Sequence, residues 1–412
     1  MSRRSTVGLV VPSLDDGGGV PAVARFIQGA AAGAGRHEVR LVSLSMSSRD
    51  AESLLLARPG TWFRGAGTRE AEWEGHPFVH VGAIAGEIEF QHYRPRRALA
   101  AAVEGCDLLQ VVSGTPAWAN AVCGLGKPVS LQVATRARVE RRKRDARPRG
   151  LLGWWRKGMT EITDRFDDRA LRRVDAIQVE NPWMLDYARK LNIGRDVDIR
   201  YAPPGVDDTL FRPVASRDLD DDPYVLCVAR LDDPRKNVGM LLEVYVRLDD
   251  GLRSRARLVL AGSSGPPPAF WSRAEALGGR DRIEYVAKPS RDRLVELYQR
   301  ASAFALPSDE EGLGVVLLES MACGVPVVST RSGGPDGVVT DGKDGFLVPL
   351  DDAEAMADRL GRLLREPGLN VSMGREARRT IELRYAERVA AEAFLDVWDR
   401  LLAKAGRKPC AG

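Results

Sequence analysis

The stretch ALPSDEEGLGVVLLESMACGVPV, residues 305–327, decides how the rest of the chain is read. Ala303 to Leu306 is a short apolar run that reads as a buried strand end. A Pro-Ser-acidic turn follows, then a loop bracketed by Gly312 and Gly314, then an apolar segment of helical length. The helix should begin near Gly314 and stop at Cys323-Gly324, where glycine takes the left-handed cap and Pro326 blocks continuation. Val325 to Ser329 is strand-like again. Strand, glycine-rich turn and helix make half of a parallel α/β unit, and the turn lies at the ligand-binding end of such a sheet.

Two carboxylates flank that turn. Glu311 precedes the helix, and Glu319 lies about a turn and a half inside it. The amides of Gly314, Val315 and Val316 have no intrahelical acceptor at a helix start there, so they can cradle an anion. Ionised carboxylates accept hydrogen bonds and donate none, which suits them to hydroxyl groups. A phosphate with a polyol on either side, a sugar nucleotide, satisfies all these groups.

The spacing Glu311-x7-Glu319, followed by SMACGVPVV, resembles the signature of the family-four retaining glycosyltransferases, the glycosyl transferases group 1, of the GT-B fold. An E-x7-E alone is weak; Pro307-Ser308 before it, EGLG around it and ACGVPVV after it make it specific. The competing reading is a surface-capped helix in another α/β enzyme. The resemblance implies that Glu311 approaches the donor sugar's hydroxyls and Glu319 the nucleotide ribose.

At 412 residues the chain should hold two or three domains with proper cores. It is 44% hydrophobic and 29% charged, an ordinary globular composition. No apolar run approaches the length of a membrane span, and the apolar core after MSRRST is too short for a signal peptide. Cysteines 106, 123, 227, 323 and 410 form neither a disulfide framework nor a metal-ligand spacing, so a reduced, cytoplasmic setting is expected. The net charge of +4 speaks of local patches, not of a global partner.

In the first half, Val7 to Val11 reads as a strand, SLDDGGG as a loop, and Val20 to about Ala34 as a helix. Gly17-Gly18-Gly19 followed by Val20-Pro21-Ala22 does not make a G-x-G-x-x-G fingerprint, and no acid ends the next strand, Val39 to Leu44. That argues against a nicotinamide enzyme. The resemblance implies that Gly18 and Gly19 meet the donor diphosphate. Phe78–Val81, Asp107–Val112 and Val129–Val133 read as further strands, and Asp175–Asn181 as the last of this domain. Relatives usually carry histidines near the ends of two of these strands. Here stand Gln110-Val111-Val112-Ser113 and Gln132-Val133-Ala134-Thr135, with Thr135 as a substitute contact, while His37 reads as structural.

Arg136 to Lys157 holds ten Lys or Arg against two acids, with Leu151, Leu152, Trp154 and Trp155 interleaved. One reading is peripheral membrane contact at the inner face, or a dock for an acidic acceptor. The other takes Leu151, Trp155, Met159, Ile162 and Phe166, at helical spacing, as a core stripe with a solvated basic face. Nucleic acid is not expected, since no recognition motif accompanies the patch.

Pro203-Pro204-Gly205-Val206-Asp207, then Phe211 and Pro213, marks a domain boundary and resembles the family's crossing, with Pro204 for its Asn. Asp218 to Asp222 carries D-x-D spacings, but as a hydrophilic lead-in to the strand Tyr224–Val228 it reads as no metal site. Ala229-Arg230-Leu231 and Lys236-Asn237 resemble the family's G-R-L…K-G element, with Asn237 for the last glycine. Arg230 and Lys236 would then hold the two phosphates, because fixed cations neutralise a departing diphosphate when no metal does. Arg257–Gly262 and Ile283–Val286 read as strands; the resemblance puts backbone at Val286 and Lys288 near the base. Gly333-Gly334-Pro335-Asp336 resembles the family's GGxPE, and a long helix from about Arg388 to Ala405 should return to the first domain.

The expectation is therefore α/β of GT-B type: two facing Rossmann-like domains with parallel sheets. Residues 1–203, with the returning helix about 387–412, would take the acceptor, and 204–386 the donor. Catalysis falls to Arg230, Lys236 and Glu311, with Gly18, Gly19, Val286, Gly312, Leu313, Gly314, Val315 and Glu319 also on the donor. The donor is a nucleotide diphosphate sugar (UDP-sugar favoured, GDP-sugar second) and the acceptor a hydroxyl; neither cofactor nor metal is expected. A sugar-nucleotide epimerase and a non-catalytic sugar-nucleotide binder are the alternatives.

Overall fold

Apolar runs without polar alternation call for strands covered on both faces, as parallel sheets are. A computed structural model of the chain, describing residues 4–12, 14, 19–146, 150–214 and 222–406, contains two such sheets. The chain divides into one unit of residues 1–204 with 390–412 and another of residues 205–389.

The first unit's strands are β1 (Ser5–Pro12), β2 (His37–Leu44), β3 (Thr68–Trp73), β4 (His76–Val81), β5 (Leu108–Ser113), β6 (Val129–Val133), β7 (Ala176–Val179) and β8 (Asp198–Tyr201). Their order is β3-β4-β2-β1-β5-β6-β7-β8, so the winding reverses between β1 and β5. Two features depart from expectation. β3 runs antiparallel to β4; its sequence TREAEW is charged and largely exposed, as suits an edge. Nor is Asp175–Asn181 the last strand: β8 follows, a half-buried edge whose DIRY sequence shows little apolar signal.

The final helix, Glu387–Gly406, buries Phe394, Leu395, Val397 and Trp398 in the first unit's core beside Phe26 and Leu9. Phe394 meets Phe26 edge-on at 5.9 Å, and Trp398 Nε1 donates to Gln110 Oε1 at 2.7 Å. Each such large side chain stabilises by about 1.5–3 kcal/mol.

The helix Gly150–Leu171 corrects the core-stripe reading. Met159 is buried and Ile162 and Phe166 are half-buried, but Leu151 and Trp155 are 92% and 65% exposed. The periodic pattern continues past the point where the helix leaves the core. Among the described residues no helix is long and apolar enough to cross a membrane.

The second unit's strands are β9 (Tyr224–Val228), β10 (Arg257–Gly262), β11 (Ile283–Ala287), β12 (Ala303–Leu306), β13 (Val327–Thr330) and β14 (Gly345–Val348). All pairings are parallel, in the order β11-β10-β9-β12-β13-β14. Apolar clusters cover both faces. β9 and β12 are neighbours from which the crossovers run in opposite directions, and such a reversal opens a crevice at the strands' carboxyl ends.

Candidate active site

Three loops leave the carboxyl ends of β9, β12 and β13 side by side, and backbone hydrogen bonds tie them together. Asp309 N donates to Arg235 O (2.8 Å), Glu311 N to Ser332 O (2.9 Å) and Gly334 N to Glu311 O (2.9 Å). The last contact needs glycine, because a Cβ on Gly334 would lie 2.6 Å from Leu313 Cα.

The β9 loop aims its lysine by a short 3₁₀ turn, Pro234–Lys236. Asp233 caps that turn, accepting from Arg235 N at 3.0 Å. Asn237 ends it at φ 46°, the left-handed conformation that explains glycine in the resembling motif. Its Nδ2 donates to Asp309 Oδ1 (3.3 Å) and Asp351 Oδ1 (2.9 Å). Lys236 Nζ then reaches Glu311 Oε1 at 2.8 Å, the two side chains only 18% and 9% exposed. Ser308 Oγ donates to the same oxygen at 2.6 Å. Among the described residues Oε2 of Glu311 takes no hydrogen bond.

Arg230 stands at the end of β9 but pairs with Asp233 Oδ2 (3.2 Å) and not with Glu311. Burial pushes the Asp233 carboxyl up, yet hydrogen bonds from Arg235 and the charges of Arg235 and Arg230 outweigh it and hold it below its ordinary range. Arg230 is thus a half-exposed cation on an acid already shared with Arg235.

The helix Val315–Ala322 starts at Gly314, φ 84°, and ends before Gly324, φ 72°. Gly312, Gly314 and Val315 border its amino end; Leu313 has a buried side chain and offers only backbone. Glu319 Oε2 accepts from the Tyr298 hydroxyl at 2.8 Å. Tyr298 is wholly buried, and burial, then the charge of Glu319, pushes its phenol well above 10. Sequence reasoning missed Tyr298 and the ties of Asn237. Ser308 and Asp309 left a signal only as members of the Pro-Ser-acidic turn.

The other expected residues belong to other elements of the two units. Val286 is half-buried at the end of β11, and Lys288, at φ 43°, donates its amide to Gly262 O (2.8 Å) with its side chain in solvent. In the first unit Gly19 opens an exposed helix start, while Gly18 lies outside the described residues. Gln110 and Gln132 are fully buried: Gln110 is spanned between Val111 O and Trp398, and Gln132 donates to Glu180 Oε1 (3.2 Å). Thr135 is buried with its hydroxyl unpartnered among the described residues. Of the acidic run Asp218–Asp222, only Asp222 is described, and it pairs with Arg257. Among the described residues no three His, Cys, Asp or Glu side chains gather as a metal site.

Comparison with known proteins bears on the class. Residues 212–380, within the second unit, match the family described as Glycosyl transferases group 1. The fold is GT-B: the sucrose-phosphate synthase of Thermosynechococcus elongatus superposes with a TM-score of 0.73 and 20% identity, covering 97% of this chain and all of that one. Among sequence relatives, the D-inositol 3-phosphate glycosyltransferase of Saccharomonospora viridis is 32% identical over 251 residues, 58% of each chain. The GDP-mannose-dependent alpha-(1-6)-phosphatidylinositol monomannoside mannosyltransferase of Mycolicibacterium smegmatis is 34% identical over 197 residues, 44% of this chain and 51% of that one. This chain thus spans about half the length of the curated relatives it matches.

Proposed function

We propose that the chain transfers a glycosyl group from a nucleoside diphosphate sugar to a hydroxyl acceptor, with retention at the anomeric carbon and without a metal. The observation that carries this reading is the Lys236–Glu311 pair, 2.8 Å apart, in a loop cluster at the strand reversal that leads into a helix start. In this reading Lys236 and Arg230 meet the diphosphate, Arg230 exchanging Asp233 for a phosphate oxygen. The unengaged Glu311 Oε2 accepts from the donor sugar, Glu319 from the ribose, and backbone near Val286 meets the base. The bond from anomeric carbon to phosphate oxygen breaks as the acceptor oxygen bonds on the same face. The acceptor proton passes to the leaving phosphate, so no protein nucleophile is needed. Charge developing on the diphosphate is stabilised by cations already in place, which costs no reorganisation at the moment of reaction.

A second reading, a sugar-nucleotide binder without turnover, has one observation in its favour: residues 110–113 and 132–135, near the strand ends where the resemblance leads one to expect histidine, hold none. Incubation with UDP-sugars and GDP-sugars, with and without EDTA, tests both. Slow release of nucleoside diphosphate from one donor, unchanged by EDTA, is expected. Calorimetric binding without release would establish the binder, and an altered sugar with no released diphosphate would establish an epimerase.

A further inference from the structure

The first two turns of the helix Gly150–Leu171 stand clear of the first unit's core. No residue from 150 to 158 is buried, and Met159 is the first that is. Nine residues of helix make a projection about 13 Å long. On it Leu151, Leu152, Trp154 and Trp155 are 92%, 59%, 62% and 65% exposed. At about 100° per residue these four fall within an arc of roughly 160°, with Leu151 and Trp155 near its middle. Arg156 borders the arc on one side and Lys157 on the other, where Lys157 Nζ lies 5.5 Å from the Trp154 ring centroid. The preceding turn adds exposed Arg142, Lys143 and Arg144, and its one acid, Asp145, is paired with Arg144.

We propose that this projection seats on an anionic lipid bilayer. An exposed apolar cluster of this size marks a docking site. The flanking charge decides the partner. Cations on both borders of an apolar arc match anionic headgroups above an acyl layer, with tryptophans at the level where one end is apolar and the other wet. An acidic soluble partner would use the cations and leave four apolar side chains in water.

Co-sedimentation of the full chain with phosphatidylcholine vesicles, with and without 30% phosphatidylglycerol, tests this. Binding to the anionic vesicles, weakening as salt rises, is expected. Trp154→Ala with Trp155→Ala should lower it at least about tenfold. Arg156→Gln with Lys157→Gln should lower it about 30-fold at low salt, from about 1 kcal/mol per basic residue. Both pairs should keep the wild-type circular dichroism and donor chemistry in solution. Failure of the wild type to sediment with anionic vesicles, or equal sedimentation of either variant, overturns the proposal. So does a dimer in ultracentrifugation that the tryptophan variant dissociates while vesicles capture neither protein.

Discussion

Replacing Lys236 with alanine removes the one cation that, among the described residues, touches Glu311, and leaves a carboxylate 9% exposed with Ser308 as its remaining donor there. Two effects follow, and they separate. Loss of a preorganised electrostatic donor to the leaving group lowers kcat by about 10²–10³, or about 2.7–4 kcal/mol of transition-state stabilisation. Because the leaving charge develops only as the bond breaks, KM should change much less than kcat. The uncompensated carboxylate costs about 1–3 kcal/mol of stability, which lowers the second unit's Tm by a few degrees. Adding Glu311→Gln removes the stranded charge, so the double variant should recover most of the Tm and none of the turnover. Steady-state release of nucleoside diphosphate, read beside a thermal melt, measures both. Near-normal kcat in Lys236→Ala, or turnover restored in the double variant, would refute the assignment and leave a purely structural ion pair.

Gly334→Ala forces a methyl to within 2.6 Å of Leu313 backbone and displaces the loop that carries Glu311; kcat/KM should fall about 10²-fold, as a misplacement of about 1 Å does. Tyr298→Phe removes the donor to Glu319, and calorimetry should show donor affinity weakened about fivefold, about 1 kcal/mol, with kcat retained. In the first unit, Asp167 accepts from the amides of Ala117 and Ala137 at 2.8 Å each, so Asp167→Ala should cost about 2–4 kcal/mol in urea unfolding. Burial holds the Asp167 carboxyl up at about 8, above the unfolded value of about 3.9. The folded state therefore binds the extra proton. Its contribution is complete below about pH 4 and lost as pH rises through about 8, and the slope should flatten in Asp167→Ala.

Much of this fold was legible because parallel strands announce themselves as uninterrupted apolar runs, and Val129–Val133, Tyr224–Val228 and Ala303–Leu306 carry the same bounds in sequence and structure. The helix after Gly314 was legible for a different reason: Gly314 and Gly324 both take positive φ, so backbone geometry left its mark in residue type. The edges were not. β3 and β8 bury little, and a strand that buries little need not be apolar. Helical periodicity misled over Leu151 and Trp155 because it records which side chains share a face, not whether anything lies beneath that face. In the site, Lys236 and Glu311 were legible as single residues. Their contact across 75 positions, and the capping and tying residues around it, arise from the loops' mutual packing and leave no local pattern.

Asparagine at position 237 carries a consequence for how the crevice meets its ligand. Glycine would satisfy the same left-handed turn and leave the peptide free to swing. Here the amide side chain latches the turn to two neighbouring segments, through Asp309 and Asp351. The disorder surrendered in fixing that turn is therefore given up when the polypeptide folds and not when an anion arrives. A socket set in advance discriminates by shape, and it turns away anions that would require the turn to move.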